Sequence, residues 1–413
     1  MNTRLRDISK NILEVISLSY FLSKLFSGFS FLFFSITIYN ELGAEPLGAL
    51  SIGAIGYGLF TLPLVSIIET YQYHRQNSFF SLKKLKFIIL IFTIGTAFFS
   101  IFFYNNFARN NDFIYFYALG VVINTWVFGL KLFDLLEYYN LSAKMIFIKA
   151  VIEYFLISLF HLKYIDDSVL VKYFIMTNLV GAVFFLVISF VDSIKLSGDD
   201  FPFFSDKYFA PLLIQKVLVF FFLNTPGLFL YAADGLGSLG LYDLVQRLFK
   251  RYSSLVSNML VSFKGPIFRL MSSHSRRYYI ELRIALCAMG LRLFFVIIFA
   301  PIIWLFLGEG HFLILSFSIA FVLEGYTQMR FFFHSNRPSL WVNVTLTATR
   351  MALTAVVCFT VFFLGLIRED IQLVGVFICS TAVLKVIEVL FLGKIGGSVR
   401  LKNETADLKI GNS

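Results

Sequence analysis

Apolar residues run through this chain in blocks of helical length, separated by short polar breaks. Hydropathy gives six blocks in the first half, at residues 12–38, 47–68, 87–104, 113–136, 145–162 and 173–194. Six more follow at 209–232, 239–263, 279–307, 312–333, 340–366 and 371–392. A hydrocarbon layer about 30 Å thick needs roughly 20 apolar residues per helix at about 1.5 Å rise each. The alternation of a half-buried strand is absent, so helices rather than a barrel must satisfy the backbone in lipid. The pattern predicts an all-α polytopic membrane protein of twelve transmembrane helices. These fall into two six-helix lobes, residues 1–200 and 201–393, with a cytoplasmic tail at 394–413.

The two halves carry a common offset. Shifted by 192 residues, Lys24 falls on Lys216, Tyr39 on Tyr231, Gly43 on Gly235, Leu47 on Leu239 and Gly48 on Gly240. In both copies a lysine sits in an apolar helix that runs out to a tyrosine, a glycine turn and the next helix. This reads as a duplicated membrane unit. With an even number of helices per copy, the lobes are expected to be parallel, related by an axis along the membrane normal around a central cavity.

Composition agrees: 58% hydrophobic residues and a mean hydropathy of +0.80 over 413 residues cannot be hidden in a water-soluble domain. The net charge of +10 is mostly a topology signal. One set of connections holds clusters such as Arg75, Lys83, Lys84 and Lys86, whereas the alternate set holds only Arg109, Lys163, Lys172 and Arg368. Cations stay on the cytoplasmic side during insertion, which puts both termini in the cytoplasm and argues against nucleic acid as a partner. Arg4, Arg6 and Lys10 precede a run too long for a signal peptide. Cys287, Cys358 and Cys379 lie inside spans at spacings that make no metal or redox motif, and no cofactor motif is present. His161 and Asp166 form an HxxxxD pattern that reads as loop polarity.

The chemistry sits in ionisable residues within spans, each costing about 2.5–3.5 kcal/mol at a helix centre if it faced lipid. They should face a wet interior. In the first span Ser17, Tyr20, Lys24, Ser27, Phe31 and Ser35 recur at helical spacing, which points Lys24 inward. In the seventh, Lys216 and Asn224 share a face ahead of Pro226-Gly227, where a bend or local unwinding is expected. The eighth carries Asp243, Arg247, Lys250, Arg251, Ser254 and Asn258 mostly on one stripe. Arg292 and Arg350 lie mid-span with no acidic residue within a helical turn, so the interior reads as cationic. Lys385 with Glu388, and Lys131 with Asp134, read as local structural pairs. The substrate-binding candidates are Lys24, Lys216, Arg247, Arg251, Arg292 and Arg350. Among the acidic residues Glu69, Glu153 and Glu324, the deeper Glu153 and Glu324 are the candidates for a coupling ion.

With these features the chain resembles the O-antigen and polysaccharide flippases of the multidrug, oligosaccharidyl-lipid and polysaccharide exporter superfamily. Architecture carries the likeness over the whole length. Locally it rests on Leu42-Gly43-Ala44-Glu45-Pro46-Leu47-Gly48, on Gly240-Leu241-Tyr242 and on Gln246-Arg247-Leu248. The resemblance implies a bacterial inner-membrane carrier that moves an undecaprenyl-pyrophosphate-linked oligosaccharide between leaflets by alternating access. It implies no covalent step and no cofactor. The implied partners are the lipid bilayer, the lipid-linked glycan and other polysaccharide assembly proteins. Lys24, Lys216, Arg247 and Arg251 match the cavity cations that hold pyrophosphate and sugar in such carriers. A multidrug or cation exporter of the same superfamily is the alternative, expected to have acidic residues where this chain has Lys24 and Lys216. A polysaccharide polymerase would carry a long external loop with arginines and histidines.

Overall fold

Glycine ends the first helix, and the chain reuses that device 192 residues later. The computed structural model describes residues 2–74, 95, 113–135, 139–195, 209–262, 277–307, 310–333, 340–367 and 369–410. Helix α1 (Asn2–Leu42) stops at Gly43, whose φ of +85° suits a residue without a Cβ and whose N–H donates to the Tyr39 carbonyl at 3.0 Å. Helix α6 (Phe209–Asp234) stops identically at Gly235, with φ +86° and a 3.0 Å bond from its N–H to the Tyr231 carbonyl. Each repeated tyrosine–glycine pair is therefore a helix C-cap.

Between these helices lie α2 (Glu45–His74), α3 (Ile114–Leu135), α4 (Tyr139–His161) and α5 (Asp167–Lys195). After them come α7 (Leu236–Ser262), α8 (Arg277–Leu307), α9 (His311–Phe333), α10 (Leu340–Phe363) and α11 (Asp370–Ile410). Every element among the described residues is an α-helix. Six of them contain stretches long and apolar enough to cross a membrane: Leu22–Leu42, Asp167–Ile188, Leu213–Asp234, Ala285–Leu305, Val344–Phe363 and Asp370–Leu390. Shorter apolar stretches occupy Ile114–Leu130 and His311–Thr327. The span expected at 87–104 and the side chains of Glu69, Lys131, Asp134, Arg251, Ser254 and Asn258 lie outside the described residues. Large apolar side chains stand exposed on α8 and α10, among them Leu305, Phe359 and Phe363. In a chain of this hydropathy such surface faces acyl chains.

The chain forms two compact units, Met1–Leu244 and Val245–Ser413, and α6, which lies against α2, belongs to the first. Helix α11 continues to Ile410, into the stretch expected as a tail. At Pro226 the helix is not unwound; α6 runs through it. Asn224 Nδ2 and Thr225 Oγ1 donate to the Phe220 and Phe221 carbonyls at 2.8 and 2.6 Å, so side-chain bonds accompany the ladder position that proline leaves without a donor.

In the first unit α1 packs on α4, α2 on α3, and α3 on α5. Glycine sets the approach of α2 to α3 in a reciprocal way: a Cβ on Gly53 would collide with the Tyr117 carbonyl, and one on Gly120 with the Leu50 carbonyl. Close backbone approach of this kind replaces the hydrophobic driving force that helices lack in lipid. Asn124 Nδ2 seals the contact by donating to the Ala54 carbonyl at 2.6 Å. Further along α3, the Trp126 ring fills the space that Gly181 leaves on α5 and packs against Phe185 at a centroid distance of 4.7 Å. In the second unit α9 lies between α8 and α11, and α10 packs on α11.

Candidate functional site

Each unit holds an interior ion pair with at least one fully buried member, built from different residues. In the first unit Lys149 and Glu153 sit one turn apart on α4, with Nζ 2.5 Å from Oε1. Glu153 is fully buried and Lys149 nearly so. Helix α1 brings Ser30, whose hydroxyl lies 2.6 Å from Glu153 Oε2 and 2.8 Å from the Ser27 carbonyl. Helix α5 brings Asn178, whose Nδ2 donates to the Phe174 carbonyl at 2.8 Å and reaches Glu153 Oε1 at 3.5 Å. The Lys149 ammonium also stands 5.3 Å from the centre of the Trp126 ring on α3, within cation–π range. Three helices meet on the carboxylate, and a fourth lays its tryptophan beside the lysine.

In the second unit the centre is Arg292 on α8, with 0% of its surface exposed. Its Nη1 donates to Glu324 Oε2 on α9 at 3.0 Å and to the Phe321 carbonyl at 2.9 Å, and its Nη2 to Ser253 Oγ on α7 at 3.2 Å. Ser253 in turn donates to Glu324 Oε2 at 2.8 Å. The guanidinium lies over the Phe321 ring at 4.6 Å, and Gly325 makes room for the arginine stem, since a Cβ there would sit 2.8 Å from Arg292 Cδ. Phe321, Glu324 and Gly325 thus supply, from one stretch of α9, the ring, the carboxylate and the space. On α10 Arg350 Nη1 donates to Glu388 Oε2 of α11 at 3.1 Å. Half-buried Lys385 on α11 lies within electrostatic reach of Glu324 and Glu388 as well as of both arginines. Three cations face two carboxylates.

This corrects the reading of Arg292 and Arg350 as cations without acidic company. Counting within a helical turn misses Glu324 and Glu388, which arrive from neighbouring helices. It also corrects Lys385 and Glu388 as a purely local pair, because Glu388 takes the Arg350 guanidinium. Lys24 is exposed on α1 and Lys216 half-buried on α6; Arg247 is half-buried on α7. Glu153 and Glu324, the coupling-ion candidates, are both already engaged by cations. The residues that sequence reasoning missed are Lys149, Ser30, Asn178 and Ser253. The one available signal was the four-residue spacing of Lys149 and Glu153 inside an apolar span. Among the described residues no three His, Cys, Asp or Glu side chains gather as a metal site.

The two clusters are not copies related by the 192-residue offset, because Glu153 then falls on Thr345 and Lys149 on Trp341. The helix caps recur at the 192-residue offset, and the charge clusters do not.

No protein-family model matches this sequence, and no curated protein does. Among solved structures, the chain is similar to a mutant of the MATE transporter VcmN from Vibrio cholerae. The two share 13% identity over 92% of this chain and 96% of that one, with a TM-score of 0.50. At that identity the likeness shows the fold alone, a MATE-like arrangement of membrane helices.

Proposed function

We propose that this chain is a membrane exporter of the multidrug, oligosaccharidyl-lipid and polysaccharide superfamily, moving its cargo by alternating access with no covalent step. The supporting observation is the fold likeness to a MATE transporter, a member of that superfamily, over nearly the whole length of both chains. Within this class we read the cargo as anionic: an undecaprenyl-pyrophosphate-linked oligosaccharide carried across the bacterial inner membrane. What supports that finer reading is the surplus of cations. Lys24 and Lys216 recur at equivalent places in the repeat, and Arg247 and Arg251 lie one turn apart on α7. Lysine and arginine suit phosphate oxygens. Arg292 and Arg350, engaged by Glu324 and Glu388, serve this reading less well as direct ligands.

A second reading is an exporter of cationic compounds, favoured by the fold neighbour and by the interior carboxylates Glu153 and Glu324, one in each unit. The two separate in one experiment. A flippase-null bacterial strain expressing the chain is scored for surface polysaccharide, and a drug-sensitive strain for tolerance to cationic compounds. The flippase reading expects restored polysaccharide and unchanged tolerance. Lys24→Ala and Lys216→Ala should then each lower surface polysaccharide at least tenfold at normal protein level, with Lys→Arg partly restoring it. Gain of drug tolerance without polysaccharide would overturn the anionic cargo and leave the exporter assignment standing.

A further inference from the structure

Helix α2 has a bare turn where both α3 and α6 pack on it. A Cβ on Gly58 would stand 3.0 Å from Phe220 Cε2 on α6 and 4.0 Å from Asn124 Nδ2 on α3, so an aromatic ring and a carboxamide flank the same place. A second carboxamide arrives close by. Helices α2 and α6 run antiparallel, since Gly58 meets Phe220 near the middle of each and Gly48 meets Leu236 just beyond the end of α6. Four residues on from Phe220, Asn224 therefore stands level with Ala54, whose carbonyl accepts from Asn124 Nδ2 at 2.6 Å.

The two carboxamides are used in the same way. Asn124 gives its nitrogen to the Ala54 carbonyl, and Asn224 gives its nitrogen to the Phe220 carbonyl at 2.8 Å. Among the described residues neither Oδ1 accepts a hydrogen bond, and both residues are half-buried. What remains is a pair of acceptors beside an aromatic ring, within the apolar layer. Acyl chains carry no donor to meet them, and an unmet carboxamide oxygen in lipid costs free energy. An ionised diphosphate offers acceptors only and does not complement them either. A pyranose does. Its hydroxyl or acetamido N–H groups donate from the edge of the ring, and its C–H face packs on an aromatic side chain.

We infer that Asn124, Asn224 and Phe220 form a sugar subsite in the first unit, with the two Oδ1 atoms accepting from a pyranose and the Phe220 ring carrying its C–H face. The inference rests on the reading of the cargo as a lipid-linked glycan and names the residues that hold its carbohydrate part. Lys216 lies one turn before Phe220 and two before Asn224 on α6, so phosphate oxygens and sugar address successive turns of one helix.

The test compares two lipids of equal charge on the purified full chain in detergent. One is undecaprenyl pyrophosphate carrying a single glucose, galactose or N-acetylglucosamine; the other carries a methyl ester in place of the sugar. Affinities are measured by thermophoresis, and the quantity read is the ratio of sugar-capped to methyl-capped affinity. Two hydrogen bonds should make that ratio about tenfold in wild type for at least one of the sugars. Asn224→Leu and Phe220→Leu should each lower it, and the double variant should bring it to about one, whereas Phe220→Tyr keeps the ring and the ratio. Lys216→Ala should weaken both lipids alike. Binding of the methyl-capped lipid shows which variants are folded, and the single variants decide the matter if the double variant does not bind it. Equal affinity of wild type for sugar-capped and methyl-capped lipid, with every sugar, would overturn the subsite and leave the anionic cargo standing. A preference for sugar that survives both single variants would overturn it too, by placing the sugar elsewhere. If wild type binds neither lipid, the cargo reading fails and the subsite falls with it.

Discussion

Glu324→Ala is expected to be the most damaging single truncation of the second unit, costing about 3–5 kcal/mol by removing one partner of a buried ion pair. Arg292 has no exposed surface and cannot lose its proton to escape the penalty. Without Glu324 its charge keeps the Phe321 carbonyl and the Ser253 hydroxyl, two dipoles in place of a counter-charge. The reverse truncation, Arg292→Met, should cost less. Glu324 is partly exposed, still accepts from Ser253, and has Lys385 within reach. Replacing both, Arg292→Met with Glu324→Leu, should recover most of the loss, because a dry apolar pair needs no compensation. Thermal melting in detergent, together with the monodisperse fraction on size exclusion, ranks the three. Equal melting of Glu324→Ala and wild type would mean that the carboxylate does not carry the arginine. An exporter with Arg292 uncompensated should also lose transport, but the melting order distinguishes a collapsed lobe from a lost ligand.

The split between what the sequence foretold and what it hid follows from the range of each signal. Helix C-caps are local: Tyr39 to Gly43 and Tyr231 to Gly235 each close within one turn, so the 192-residue repeat displayed them before any coordinates. The membrane class was equally legible, because apolar blocks of span length have few other uses. Partners of the interior charges were not. Arg292 meets Glu324 across 32 residues of sequence and Arg350 meets Glu388 across 38, distances at which periodicity along one helix is silent. Ser30 reaches Glu153 over 123 residues. Nothing in a serine at an apolar position announces such a bond, since most serines in membrane helices simply return their hydroxyl to their own backbone, as Ser35 does to Phe31.

A large effect is also expected in the first unit from the repeated glycines Gly48 and Gly240, and it has a symmetry that makes it testable. A Cβ on Gly48 would run into the Leu236 carbonyl at the start of α7, and a Cβ on Gly240 would run into the Ala44 carbonyl just before α2. Ala44 and Leu236 are themselves 192 residues apart, so each copy of the repeat uses its glycine to receive the same carbonyl of the other. The obstacle is backbone at both sites and cannot swing aside as a side chain would. Gly48→Ala and Gly240→Ala should therefore each destabilise by about 1–3 kcal/mol, the usual range for overpacking, and by similar amounts. Gly237→Ala is the control on the same helix. Its nearest neighbour would be Glu45 Cγ at 3.9 Å, so the added methyl meets ordinary contact and should stabilise by about 0.5–1 kcal/mol through helix propensity. Gly43→Ala tests a different cause, since there is space for the methyl but φ is +85°; the expected cost is about 1–2 kcal/mol from the left-handed backbone. The decisive measurement is the double variant Gly48→Ala with Gly240→Ala. Both methyls enter one reciprocal crossing, so helices displaced to admit the first have already yielded to the second, and the combined loss should fall well short of the sum. Full additivity in melting would show that the two glycines act at independent contacts, and the repeat would then be a record of ancestry with no shared interface.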